Sequence, residues 1–237
     1  MPKKKLPFDA IIDFDKLKDM KVLEVGVGNG SCASLLTKHA GSFSGIDITE
    51  YAVKSTSERM RCLGLKGEIL QMDAERMKFS DNTFDFVWSW GVIHHTSDTR
   101  KALGEISRIL KPGGKAITMV YYRNFWNYYI LGGLIRGILL GELFRRKSLH
   151  AITQQSTDGA IARYYSIPEW RVLVSEFFYV ERAFVCGNKL EIIPLPSGKI
   201  KNFISILIPD GISRFLTNRC KMGTFLVTTL IKRENTK

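Results

Sequence analysis

Cysteine is sparse in this chain and poorly spaced for structural use: Cys32, Cys62, Cys186 and Cys220 include no close pair. That spacing excludes a disulfide framework and the paired thiolates of a zinc or dithiol centre, and it points to a reducing cytoplasm with no metal site. A long apolar run is also missing. The most lipid-like segment, Phe125 to Phe144, is broken by Asn127, Arg136, Glu142 and four glycines, so no spanning helix is expected there. The lysines at 3 to 5 run into an acidic stretch without an apolar core, so neither a signal peptide nor a membrane anchor is expected to begin there. Internal repeats and low-complexity tracts are absent, which excludes a solenoid.

Acidic side chains are scarce in the second half. Residues 121–237 carry 17 basic and 8 acidic side chains against 18 and 15 in residues 1–120, so most of the net charge of +12 lies after residue 120. An anion-seeking surface would belong there, although a solvated basic face explains the same imbalance. With 45% hydrophobic residues in 237, the chain can bury the core of one domain, taken as 1–237 with an insertion over 123–165.

From Lys21 to Tyr122, short apolar runs alternate with helical stretches, the pattern of repeated βα units around a parallel sheet. Strands are predicted at Lys21–Val25, Ser42–Asp47, Glu68–Gln71, Phe84–Ser89 and Lys115–Tyr121, and helices at Ser31–Ala40, Glu50–Leu63 and Asp98–Leu110. The Lys111-Pro112-Gly113-Gly114 turn is expected to end the last helix before the fifth strand. After Tyr122 the alternation lapses over an aromatic, glycine-rich stretch, then a helix restarts at Ser166-Ile167-Pro168-Glu169, a capping-box pattern. Strands near Tyr179–Cys186 and Gly223–Lys232 would complete a seven-stranded, mostly parallel α/β sheet of Rossmann-like type.

Val22-Leu23-Glu24-Val25-Gly26-Val27-Gly28-Asn29-Gly30 is an apolar strand entering a glycine-rich turn. Gly26, Gly28 and Gly30 let the backbone bend tightly and approach a ligand. Asp47 closes the second strand, where a carboxylate can accept both hydroxyls of an adenosine ribose. A dinucleotide fingerprint wants its third glycine at position 31, which is Ser31 here, and it cradles a pyrophosphate that Glu24 would repel. An amino group carrying positive charge suits Glu24 better.

Together with Gly45-Ile46-Asp47, Met72-Asp73-Ala74-Glu75, Phe84-Asp85-Phe86-Val87, Ser89-Trp90-Gly91-Val92-Ile93-His94-His95 and Leu110-Lys111-Pro112-Gly113-Gly114, this loop resembles class I S-adenosylmethionine-dependent methyltransferases of the ubiquinone/menaquinone-biosynthesis-like group over about residues 17–122. The resemblance implies S-adenosylmethionine as cofactor and S-adenosylhomocysteine as product. It implies cofactor contacts from Glu24, Gly26, Gly28, Gly30, Asp47 with the adjoining Ile48, Asp73 with the Ala74 amide, and Ser89, Trp90 and Gly91 at the end of the fourth strand.

Methyl transfer from a sulfonium is an in-line displacement, so the protein mainly positions the reactants and excludes water. A hydroxyl acceptor also needs a base, for which His94 or His95 is the candidate; capping or sheet packing is the alternative use of the pair. Tyr121, Tyr122, Arg163 and Tyr164 are acceptor-side candidates, with core packing as their alternative. The expected acceptor is a small or lipid-like molecule methylated at oxygen, and 125–147 is a candidate for peripheral membrane contact, or else a lid. Ser89-Trp90-Gly91-Val92 lacks the Asn/Asp-Pro-Pro-aromatic pattern of enzymes that methylate nucleic-acid amino groups, so a nucleic-acid partner is disfavoured. An RNA methyltransferase using the basic half and a non-catalytic cofactor-binding scaffold stay as alternatives.

Overall fold

The computed structural model describes residues 8–139, 161–195 and 198–234. Its strands are β1 (Lys21–Val25), β2 (Ser42–Asp47), β3 (Glu68–Gln71), β4 (Phe84–Trp90), β5 (Leu110–Tyr122), β6 (Tyr164–Tyr165), β7 (Phe178–Cys186) and β8 (Phe225–Lys232). Seven form one run in the order β3-β2-β1-β4-β5-β8-β7, and β6 pairs with β5 off that path. The first five run parallel, while β8 is antiparallel to both β5 and β7. The seven-stranded, mostly parallel expectation holds for the main run. The addition is β6, whose Tyr164 and Tyr165 lie beside Tyr121 and Tyr122.

Helices α1 (Ser31–Thr37), α2 (Glu50–Cys62), α3 (Thr99–Ile109), α4 (Ile167–Val174), α5 (Lys199–Leu207) and α6 (Asp210–Arg214) connect the strands, with a π-helical stretch at Phe125–Leu139. Local chemistry sets their ends. Thr49 accepts from the Ala52 amide at the start of α2, and Asp98 accepts from the Arg100 and Lys101 amides at the start of α3. The predicted capping box is present: the Ser166 hydroxyl accepts from the Glu169 amide while Glu169 accepts from the Ser166 amide.

The 111–114 turn behaves differently from expectation. Helix α3 gives way at Leu110 directly to β5, and residues 111–114 bulge within that strand, so that Leu110 pairs Phe84 and Lys115 pairs Phe86. Gly113, at φ +72°, supplies the left-handed residue such a bulge needs. Of the expected 123–165 insertion, residues 140–160 lie outside the described residues.

Both faces of the sheet are covered, which is why its parallel strands read as nearly continuous apolar runs. On one face Leu23, Val25 and Val87 pack with Leu103, Ile106 and Ile109 of α3 and with Trp170 of α4. On the other, Val22, Phe86 and Trp88 pack with Ala33, Leu36, Met60 and Phe14. Ile106 is fully buried, so Ile106→Ala would cost about 2–5 kcal/mol.

The strand order also fixes where a ligand can go. The chain runs outward from β1 through β2 to β3, crosses back to β4 on the other side of β1, and continues outward to β5. The carboxyl ends of β1 and β4 therefore border the switch point, the crevice where ligands bind in open α/β sheets.

Candidate active site

The three glycines after β1 all sit in the left-handed region, with φ of +84°, +52° and +77° at Gly26, Gly28 and Gly30. A Cβ on Gly26 would lie 2.1 Å from Cγ2 of Val92, so this glycine lets the loop close against the chain leaving β4. Gly28 faces open space, which is the condition for a ligand to approach its backbone. Other contacts hold the turn: the Gly26 and Val27 amides donate to the Ile46 carbonyl, and the Thr56 hydroxyl donates to the Gly28 carbonyl at 3.1 Å. Val92 belongs to the Ser89–Val92 stretch that the sequence places at the site, whereas Thr56 is not among the sequence candidates. Thr56 is buried on α2, and its only sequence signal is its place on the helix's inner face.

Asp47 is tied to the same turn. Its Oδ2 accepts from the Gly28 amide at 3.1 Å, and its Oδ1 accepts from the Thr49 amide and hydroxyl. A carboxylate has about four acceptor positions, and the turn and the start of α2 take three of them, which fixes the orientation of this one. Ile48, 66% exposed, follows it as an apolar platform. The end of β3 is bound to this corner by the Met72 amide on the Asp47 carbonyl and by Gln71 on the Ile48 carbonyl. Beyond it, exposed Asp73 accepts from the Glu75 amide while Ala74 is buried.

Glu24 is the sharpest electrostatic feature. It is 2% exposed, and its Oε2 has no hydrogen-bond partner among the described residues. Burial first, then the negative charge of Asp47, holds its carboxyl well above the usual carboxylate range. A buried carboxyl oxygen without a donor, beside a glycine turn open to a ligand, suits a cationic amino group that would both neutralise and satisfy it.

Past β4, Gly91 takes φ +76° and its amide donates to the Met119 carbonyl. Ser89 is buried, and Trp90 stacks on Trp88 with ring centres 5.0 Å apart. His94 is fully buried between His95 and Tyr121, each 4.1 Å away by ring centres. Burial, with the neighbouring His95, pushes His94 down to about 3. His95 is half-buried, and its Nδ1 lies 2.6 Å from the Ile161 carbonyl.

The acceptor-side candidates divide. Tyr121 stands against both histidines and against Tyr164, which in turn meets Tyr128. Burial, then Tyr121 and Tyr128, holds the Tyr164 phenol well above its ordinary range, so it stays protonated. Half-buried Tyr122 pairs with Tyr165, and burial raises its phenol as well. Arg163 lines the cleft beside these tyrosines and also serves the backbone. Its guanidinium donates to the Thr96 and Ser97 carbonyls and its amide to the His94 carbonyl, which clamps β6 to the chain after His95. Outside this wall lies a cleft of about 720 Å³ lined by Tyr128, Tyr164, Tyr165, Leu173 and the Arg123–Glu169 ion pair. A second cavity, about 620 Å³, lies at the opposite edge of the sheet around Leu17, Lys111 and Arg182, remote from the glycine turn. Among the described residues no cluster of histidine, cysteine or acidic side chains could hold a metal ion.

Residues 23–118 match the family model described as a methyltransferase domain. Residues 23–118 thus make up a methyltransferase domain of that family. Over 96 residues this domain is 38% identical to a phthiotriol/phenolphthiotriol dimycocerosates methyltransferase of Mycobacterium tuberculosis, covering 40% of this chain and 35% of that protein. It is 30% identical over 109 residues to the ubiquinone/menaquinone biosynthesis C-methyltransferase UbiE of Idiomarina loihiensis, covering 44% of this chain and 43% of that protein. The chain thus spans less than half the length of these curated relatives. A solved S-adenosylmethionine-dependent methyltransferase from Methanosarcina mazei aligns with a TM-score of 0.60 at 20% identity, covering 91% of this chain and 93% of that one, a likeness of fold. S-adenosylmethionine is the cofactor of the methyltransferase domain, and the open backbone at Gly28 and the unsatisfied Glu24 oxygen fit its adenosine and amino ends.

Proposed function

We propose that this chain transfers the methyl group of S-adenosylmethionine to a hydroxyl oxygen of a lipid-like small molecule, with His95 as the base. The observation that carries this reading is the His95 ring. A carbonyl oxygen only accepts, so Nδ1, at 2.6 Å from the Ile161 carbonyl, carries a proton, which in the neutral ring leaves the Nε2 lone pair as the basic site. His94 packs and does no proton chemistry: it is buried and resists protonation. When bound, the sulfonium supplies an activated methyl group and a neutral leaving group.

The chain's own part is positioning. Gly26, Gly28, Gly30, Asp47, Ile48, Asp73 and Ala74 seat the nucleoside, Glu24 takes the amino group, and Ser89, Trp90 and Gly91 border the transfer point. Tyr121, Tyr122 and Tyr164 form an aromatic wall for the acceptor. The names of the two relatives, concerned with dimycocerosates and with quinones, favour an apolar acceptor over a nucleic acid. The unpaired cysteines suit a reducing cytoplasm.

The test is incubation with methyl-labelled cofactor, a cellular lipid extract and total RNA in one reaction. Label is expected in an organic-soluble product that gains one methyl on a hydroxyl oxygen. Label on RNA, or on carbon alone, would overturn the proposal.

A further inference from the structure

Two apolar faces at the cofactor edge of the sheet have no partner within the described residues. Helix α5 buries none of its residues: Ile200, Phe203, Ile206 and Leu207 are 63–76% exposed. Their spacing places them on one side of an α-helix. Ile212 of α6 and Phe215 just after it extend the patch, at 53% and 58% exposed.

The second face is on the π-helical stretch, where Phe125, Tyr129, Leu134 and Ile138 are 44–72% exposed. They recur every four or five residues, which a helix wider than the α form brings into one stripe. Both faces belong to the same end of the molecule. The segments that follow β5 and β7 leave the sheet at the edge that carries the glycine turn, and Asn124 and Asn127 bind the first segment to the Met222 carbonyl of the second.

Charge chooses the occupant. Segment 187–224 holds six basic side chains against Glu191 and Asp210. Of the six, Lys199, Arg214, Arg219 and Lys221 are exposed along the same segment, and Asp210 is held in an ion pair with Lys189. Exposed apolar side chains interspersed along the chain with exposed cations are the composition of an element that lies in the boundary of an anionic bilayer. No helix among the described residues is long and apolar enough to cross a membrane, so the contact would lie flat on the surface.

We propose that α5, α6 and the outer stripe of Phe125–Leu139 form a docking face for an anionic lipid bilayer, which sets the mouth of the cofactor crevice against the membrane surface. The sequence points to membrane contact at 125–147 alone; the structure adds the 199–215 element, which carries no such signal in composition. The inference does not depend on methyl transfer.

The test is flotation of the full chain with vesicles of phosphatidylcholine alone or with one third phosphatidylglycerol, read beside thermal melting and binding of S-adenosylhomocysteine. Wild type should float with the anionic vesicles and not with the neutral ones. Phe203→Glu with Ile206→Glu should weaken flotation by about a hundredfold, since each removes the insertion of one large side chain, with melting and product binding unchanged. Phe203→Leu should retain it. Absence of flotation, equal flotation of the double variant, or a dimer in light scattering that the double variant dissociates would overturn the proposal; the last would assign the face to a second copy of this chain.

Discussion

The two halves of the molecule make their structure by different means. Between Lys21 and Tyr122 the decisive facts are backbone facts: three left-handed glycines, a strand order and a carboxylate tied to an amide. After Tyr122 they are side-chain facts: a clamp of Arg163 on two carbonyls, a row of tyrosines, and helix faces left bare. Backbone requirements leave strong marks in a sequence because few residues satisfy them. Side-chain arrangements can be built from many residues, so they leave weak marks.

The largest effect that could break this contrast is at Gly26. Gly26→Val puts a branched side chain at φ +84° and into Val92, and should abolish S-adenosylhomocysteine binding in calorimetry. In the second half, a comparably radical change at exposed Val172 should leave that binding untouched.

Next is the proposed base. His95→Gln should lower kcat by about 10²–10⁴ with product binding unchanged, whereas His94→Phe should keep most of the activity. The reverse ranking would show that the buried ring does the chemistry.

Glu24→Gln should weaken product binding about 10–100-fold, the value of a charge-assisted hydrogen bond, yet stabilise the empty protein. The sign follows from the raised carboxyl. Above the ordinary carboxylate range the unfolded chain has lost this proton and the folded chain still holds it, so stability falls as pH rises through that window. The glutamine variant should flatten that slope in urea melts.

The last effect is confined to acid pH and lies at His94, held near 3 from an ordinary 6.5. Here the unfolded chain takes up the proton first, so stability is lost as pH falls from about 6.5 towards 3. His94→Phe should remove that part of the acid sensitivity.

The same contrast explains what the sequence makes legible. The strands of the first half, the glycine turn, Asp47 and the capping box at Ser166 are legible because each rests on a local rule. The 111–114 bulge reads as a turn in sequence because proline and glycine serve both, and only the pairing of Leu110 and Lys115 with β4 separates them. Arg163 looks like an acceptor contact alone because nothing in sequence shows that the carbonyls of residues 96 and 97 take its donors. Thr56 is silent, since its role exists only once α2 closes on the turn.

The central claim is that the turn after β1, with Glu24 beneath it and Asp47 beside it, holds the methyl donor. Calorimetric titration of the folded chain with S-adenosylhomocysteine tests it most directly. The expected result is saturable one-to-one heat in the native protein, sharply weakened in Asp47→Ala. No heat from the native protein, or equal heat from that variant, would contradict it.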